Sequence, residues 1–269
     1  MAKIWGTFDA DTIVGTAEDD DFFGLSGNDV LRGGGGNDTL VSSGGGLVLI
    51  EGGEGDDDLF AEFENPGQVS MFGGPGNDLF GISVAAATVD AGAGDDIIGI
   101  RDVPAATLTL GEGADRIVLH PKPGATPLVV TDFQTGDGGD RITIPSGLLG
   151  WDGSTNPFTL GYYRMFQQGA DTVLQWDQDG SAARFAMTDI VRFQNTKVGQ
   201  FVAYNSLGWS PNGVQPDTSA FQGTNGNDRY AGTTAPEVID GLAGDDVLQG
   251  GAGNDTLIGD EGNDSLDGG

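Results

Sequence analysis

Residues Gly24-Leu-Ser-Gly-Asn-Asp29-Val-Leu31-Arg32 are followed without a gap by Gly33-Gly-Gly-Gly-Asn-Asp38-Thr-Leu40-Val41. Both nonapeptides place glycine at positions one and four, aspartate at position six and leucine at position eight. Glycine at those points permits a turn with positive φ and close backbone approach. The last three residues read as a short strand whose middle side chain points inward. Two units then close one coil, and each turn stacks on the turn two units later, about 4.8 Å away.

Weaker copies precede this pair at 6–14, with Asp11 and Ile13, and at 15–23, with Asp20 and Phe22. Near the other end, 241–249, 250–258 and 259–267 run on without interruption and set Asp246, Asp255 and Asp264 at position six. The array there opens at 223–231 with Asp228, and the next copy carries Glu237 where aspartate is expected. Between the ends the turns recur at wider spacing, at 52–60, 73–81, 91–99 and 110–118, with Asp57, Asp78, Asp96 and Asp115. The intervening stretches lack the turn pattern but keep apolar runs such as Leu47-Val48-Leu49-Ile50 and Thr107-Leu108. We read them as a coil that persists while only one side keeps its turns. The rival reading is that 61–72 and 82–109 are plain loops.

Stacking brings the position-six carboxylates of successive turns together with turn carbonyls. An oxygen-only shell of that kind suits Ca²⁺, which accepts flexible, many-oxygen coordination, whereas Mg²⁺ demands a tighter octahedron. The expected ligands are Asp20, Asp38, Asp57, Asp78, Asp96 and Asp115 along one side, and Asp11 with Asp29 on the other. Asp228, Glu237, Asp246, Asp255 and Asp264 are expected to serve the second array. The turn glycines taken as part of the sites are Gly27, Gly34, Gly36, Gly53, Gly55, Gly74, Gly76, Gly92, Gly94, Gly113, Gly244 and Gly253. The expected count is about five ions on the first side and about one on the other. The pattern resembles the calcium-binding nonapeptide repeat of the RTX proteins of the type I secretion class. That resemblance implies a parallel β-roll, several bound Ca²⁺ ions and export by type I secretion machinery.

Composition agrees with this reading. The 269 residues carry 41 Asp plus Glu against 11 Lys plus Arg, a formal charge of −30. Such a balance argues against nucleic acid as a partner, because phosphates are bound by a basic face. It also opposes compaction unless a cation neutralises it. Cysteine is absent, which excludes disulfides and thiolate metal sites. The start, Met1-Ala2-Lys3-Ile4-Trp5-Gly6, has no apolar segment of the signal-peptide kind, and no run reaches membrane-spanning length.

The expected fold is all-β, with an N-terminal parallel β-roll or β-helix over 1–118 and a β-rich middle domain over 119–205. A Pro/Gly/Ser-rich linker over 206–222 and a second β-roll over 223–269 complete it. Strands are expected at 128–131, 141–144, 158–165, 172–176, 184–187 and 197–204 by β-branched and aromatic content. Asp177-Gln178-Asp179-Gly180 reads as a turn between two of them, with an ion site as the alternative. The order Val130-Thr-Asp132-Phe133-Gln-Thr-Gly136, Asp140-Arg-Ile-Thr-Ile and Gly169-Ala-Asp171-Thr-Val-Leu resembles the segment after the roll in serralysin-like proteases and mannuronan epimerase repeat modules. In those proteins it caps the roll and supports export. Here further repeats follow it, and the last one stops at Gly269 without a cap, from which we expect the protein to continue.

No catalytic constellation emerges. The single histidine, His120, sits in His-Pro-Lys-Pro-Gly and reads as a solvated loop residue. Nucleophile, zinc-protease and phosphate-binding motifs are absent from the sequence. The carboxylates are already accounted for by the repeat. Trp151, Tyr162, Tyr163, Trp176 and Trp209 form a candidate sugar-stacking set, with a β-domain core as the plainer reading. The functional expectation is an extracellular or cell-surface calcium protein that folds on the ion and is not itself an enzyme. A homo-oligomer or surface lattice, and a polysaccharide, are the further partners considered. The alternatives are the repeat module of a larger secreted enzyme and a carbohydrate-binding module.

Overall fold

The computed structural model describes residues 3–62, 67–101, 105–121, 126–136, 138–144, 148–151, 155–180, 184–203, 205, 206, 209, 211, 221, 222, 227, 229–231, 238–240, 244–251, 256–259 and 262–269. The chain divides into two compact units, Met1–Asn212 and Gly213–Gly269.

In the first unit the chain winds as a parallel solenoid between two sheets. The first sheet takes, in order, Lys3–Trp5, Asp21–Leu25, Thr39–Ser42, Asp58–Glu62, Leu79–Ser83, Ile97–Arg101, Arg116–His120 and Arg141–Thr143. The second takes Thr12–Val14, Val30–Gly35, Leu47–Glu54, Gln68–Pro75, Ala86–Ala93, Ala106–Glu112 and Leu128–Val130. Neighbours in these two runs are parallel, since every coil returns in the same direction. The stretches without the turn pattern therefore remain part of the coil.

Register follows from which side chains must leave water. Phe22, Leu40, Leu59, Phe80, Ile98, Ile117 and Ile142 stack rung on rung inside the first sheet. Ile13, Leu31, Ile50, Met71, Val89, Leu108 and Val130 do the same inside the second. All of them are buried. Each such side chain stabilises the fold by about 2 kcal/mol, and a one-residue slip would turn the whole row to solvent.

The glycines at repeat positions two and four fit coil to coil. Gly53 has φ +123, and a Cβ on it would lie 2.2 Å from the carbonyl oxygen of Gly34 in the coil before. Every described turn glycine named above has positive φ.

Residues 119–205, read above as a domain of their own, extend both sheets. Arg141–Thr143 adds to the first, and Thr188–Phe193 lies parallel beside Leu128–Val130 in the second. Asp171–Trp176 and Tyr163–Gln168 then continue the second sheet antiparallel. Three expected strands are displaced. At 158–161 the Asn156 side chain accepts the Phe158 N–H, an Asx turn that competes with extended pairing. At 184–185 the backbone donors are taken by the Asp179 carboxylate. Over 197–201 the chain makes a 3₁₀ turn, Val198–Gln200, instead of a strand.

The second unit repeats the roll on a smaller scale. Arg229–Ala231, Val247–Gln249 and Ser265–Asp267 form one parallel sheet; Phe221–Gln222, Val238–Asp240 and Thr256–Ile258 form another. Ile239 and Leu248 are buried between them.

Candidate metal centre

Each turn from the second sheet to the first ends in a position-six aspartate that points into the corner of the roll. The peptide N–H of Asp20 donates to Oδ1 of Asp38 at 2.7 Å, and Asp38 to Asp57 at 2.8 Å. The ladder continues from Asp57 to Asp78, Asp78 to Asp96 and Asp96 to Asp115, at 2.7–2.8 Å. Asp11 donates to Asp29 on the opposite corner at 3.1 Å, and Asp246 to Asp264 in the second unit at 3.0 Å. One carboxylate oxygen of each acceptor is thereby fixed.

The other oxygen is not. Oδ2 of Asp38, Asp57, Asp78, Asp96 and Asp115 is buried without a hydrogen-bond partner, as is Oδ2 of Asp29. A buried carboxylate oxygen left this way costs several kcal/mol unless a positive charge faces it. None of these groups is in an ion pair, and the described ion pairs lie elsewhere, at Lys3–Asp21, Arg32–Glu51 and Arg192–Asp171.

Glycine at position one leaves room in front of this oxygen. A Cβ on Gly52 would lie 2.4 Å from Asp57 Oδ2 and 2.9 Å from the Gly73 carbonyl oxygen of the next turn. On Gly33 it would lie 2.3 Å from Asp38 Oδ2 and 2.4 Å from the Gly52 carbonyl oxygen. A carboxylate and a neighbouring carbonyl therefore border the same side-chain-free space. In the last two turns Ala91 and Leu110 stand at position one, and the Asp96 and Asp115 oxygens remain without a partner. Among the described residues no three acidic or imidazole side chains converge on one point. The donors available are one or two carboxylates together with peptide carbonyls, a set that fits Ca²⁺.

Burial raises these carboxyls. Asp57, Asp96 and Asp115 are pushed from 3.8 to about 7, chiefly by desolvation and then by neighbouring aspartates. Asp78 rises to about 6 for the same first reason, and Asp29 and Asp38 also rise. The fold thus holds them ionised at neutral pH only against their own environment.

Residues 5–40, 41–65, 222–253 and 240–269 match the RTX calcium-binding nonapeptide repeat. These segments are RTX calcium-binding repeats. The RTX repeat binds several calcium ions, and the matched segments contain Asp11, Asp20, Asp29, Asp38 and Asp57 of the first unit and Asp228, Asp246, Asp255 and Asp264 of the second, while Asp78, Asp96 and Asp115 lie outside them. Two solved structures match the chain in part. The AlgE6R3 subunit of the mannuronan C5-epimerase from Azotobacter vinelandii is 23% identical, with 76% of this chain and 80% of that chain covered and a TM-score of 0.27. Extracellular lipase LipA from Serratia marcescens is 16% identical, with 73% of this chain and 39% of that chain covered and a TM-score of 0.20. Curated sequences give no significant match.

The sequence reading missed a second ladder. At position five, the side-chain oxygen of one turn accepts the peptide N–H of the next: Asp19 from Asn37, Asn37 from Asp56, Asp56 from Asn77, and Asn77 from Asp95. It runs opposite in sense to the position-six ladder and lies at the surface. Its signal was present as an unbroken Asp/Asn alternation at that position. Asp140 was missed as well, because it follows Asp115 after 25 residues, outside the 18–21-residue interval of the other rungs, although Gly136 and Gly138 stand at positions two and four before it and Ile142 at position eight; it accepts the Asp115 N–H at 3.1 Å and is a further rung.

Other expected residues resolve differently. Asp228, Glu237, Asp255 and Gly253 lie outside the described residues. Asp179 spends both carboxylate oxygens on the N–H groups of Arg184 and Phe185, which makes 177–180 a hydrogen-bonded turn. His120 ends a strand, half-buried, and lines a groove of about 220 Å³ with Glu62, Ser83 and Arg101 over Gly81 and Gly99. Tyr162, Tyr163 and Trp176 are buried in the core, and Trp151 meets Trp209 edge to face at 6.3 Å, so the five aromatics form no open stacking platform.

Proposed function

We propose that this chain is an exported calcium-binding module with a structural role, whose N-terminal roll orders as calcium enters the aspartate row. The observation that carries this reading is the run of buried Oδ2 atoms from Asp38 to Asp115, each without a partner. Their repulsion opposes coil closure in the metal-free chain, so the free energy of ion binding becomes free energy of folding. Extracellular calcium modules bind at about 10⁻⁴–10⁻³ M, the range in which such a protein stays unfolded inside a cell and folds outside it. The burial of Tyr162, Tyr163 and Trp176 favours a core role for these aromatics over an exposed stacking surface. Surface or matrix association follows from a folded state that is tied to extracellular calcium. Far-UV circular dichroism through an EDTA and calcium titration tests the reading. A cooperative gain of β signal near millimolar calcium is expected, and an unchanged β spectrum in excess chelator would sink it.

A further inference from the structure

The outer face of the first sheet is acidic towards one end and basic towards the other. Asp58 and Glu62 project from the strand Asp58–Glu62, alternating with buried Leu59 and Ala61. Farther along the roll, three neighbouring strands carry Arg101, then Arg116 and His120, then Arg141, each on the side away from the core. The whole chain holds only 11 Lys plus Arg, so three arginines on one face are a local reversal of its charge. Among the described residues Glu62, Arg101 and Arg116 are in no ion pair, and Arg116 Nε is buried without a hydrogen-bond partner.

The relief of this face changes where its charge does. Phe60, Gly81 and Gly99 follow one another in register along its middle row. A Cβ on Gly81 would lie 2.4 Å from the Phe60 ring, so that ring already occupies the space over Gly81. A Cβ on Gly99 would meet only the Phe80 carbonyl oxygen, at 3.3 Å, so the surface is hollow there. These two glycines floor the groove of about 220 Å³, and Glu62 and Arg101 both stand on its wall. Glu62 is in register with Ser83, and Arg101 lies one coil beyond. The carboxylate and the guanidinium are thus anchored two coils, about 9.6 Å, apart.

We propose that this face pairs with the same face of a second copy, antiparallel, about a twofold axis that runs along the strands through the coil of Gly81 and Ser83. Reversing the order of the coils sets Glu62 against the partner's Arg101 and, by symmetry, Arg101 against the partner's Glu62. The same operation lays Phe60 opposite the hollow over Gly99, and Arg141 opposite the coil of Asp21, three coils to either side of the axis. A twofold contact of this kind closes on itself, so it stops at two copies. Eight strands and three outward rows present about 500 Å² per copy, at the low end for a specific interface, so the dimer is weak and reversible. A formal charge of −30 on each copy opposes the pairing, and ions in the aspartate row reduce that repulsion. In this respect the dimer rests on the calcium reading above.

Sedimentation equilibrium of the full chain in millimolar calcium tests the pairing, with circular dichroism on the same samples to read folding. The parent is expected to pass from monomer to dimer with rising concentration and to go no further. Arg101→Glu and Glu62→Arg each place like charges opposite one another twice, and each should weaken the dimer at least about tenfold while the β spectrum stays intact. The double variant, Glu62→Arg with Arg101→Glu, restores both pairs and should restore the dimer. A folded parent that is monomeric at all concentrations overturns the pairing and leaves calcium binding untouched, as do single variants that dimerise like the parent or an open-ended series of oligomers. A monomeric parent that binds oligogalacturonate through Arg101 also overturns it and assigns the basic end to an acidic glycan. Failure of the calcium reading shows separately, as a β spectrum that does not respond to the ion.

Discussion

The peptide N–H of Asp57 donates to Oδ1 of Asp78 at 2.8 Å, while Oδ2 of the same Asp78 carboxylate is buried with nothing bonded to it. One oxygen therefore belongs to the fold, and on the function proposed above the other belongs to the ion. On that proposal a single residue sets the spacing of the coils and also makes that spacing depend on calcium. It also makes the effect of a substitution depend on the metal.

Asp57→Asn shows this dependence most directly. Asparagine keeps an oxygen to accept the Asp38 N–H, now at 2.8 Å, and removes the charge. Without calcium the variant should be more stable than the parent by about 1–3 kcal/mol, because a buried unpaired charge has gone. In saturating calcium the order should invert, with a several-fold higher calcium midpoint. Urea titrations in EDTA and in calcium measure both signs. A variant less stable under both conditions contradicts the division of roles.

The metal-free protein should be more stable in mild acid than at neutral pH. Asp57, Asp96 and Asp115 have carboxyls raised to about 7, and Asp78 and Asp140 to about 6, from 3.8. Between those values and 3.8 the folded state binds more protons than the unfolded state, so stability falls as pH rises. The contribution is complete below about pH 4 and lost through about pH 6–7. Calcium-free samples followed by circular dichroism from pH 4.5 to pH 8 should lose β signal on the alkaline side, and added calcium should restore it.

Much of this was legible because the repeat is a template. Asp38 to Asp115 share a position, so the row and its one-sidedness could be read from spacing, and the apolar runs at 47–50 and 107–108 marked the side without turns. What the spacing hid were a rung that comes after an irregular interval and residues that depart from the glycine pattern. Asp140 reaches the row from a loop held by Gln134 and Asn205, contacts made across sequence separations of 6 and 65. Thr16 and Thr7 looked like imperfect glycines, and only the hydrogen bonds to Asp20 and Asp11 show what the hydroxyl does. In 158–204 local side-chain bonds from Asn156 and Asp179 decided where strands end, against β-propensity.

Glycine positions should sort by what faces them, independent of calcium for one class. Gly53→Ala meets the Gly34 carbonyl at 2.2 Å and must adopt φ +123, so it should cost more than about 2 kcal/mol in calcium and in EDTA alike. Gly52→Ala meets Asp57 Oδ2 at 2.4 Å and should weaken calcium binding most. Gly199→Ala, with nothing within 4 Å, is the control and should change stability by less than about 0.5 kcal/mol. Calcium titrations and urea midpoints on the three variants distinguish the classes, and equal losses at Gly53 and Gly199 would remove the steric account.

The core should carry stability in a way the ion cannot replace. Phe80 is fully buried and stacks in register between Leu59 above and Ile98 below, inside the first sheet. Its truncation removes contacts to both neighbouring rungs, and a solenoid passes stability only between neighbours. Phe80→Ala should therefore cost about 3–5 kcal/mol in saturating calcium, the range for deleting a buried phenylalanine ring. Phe72, on the outer face of the second sheet and 42% exposed, offers the contrast, and Phe72→Ala should cost far less. Urea unfolding at millimolar calcium compares the two. If Phe72→Ala proved as damaging as Phe80→Ala, the outer face would be carrying packing that the inward register assigns to the core.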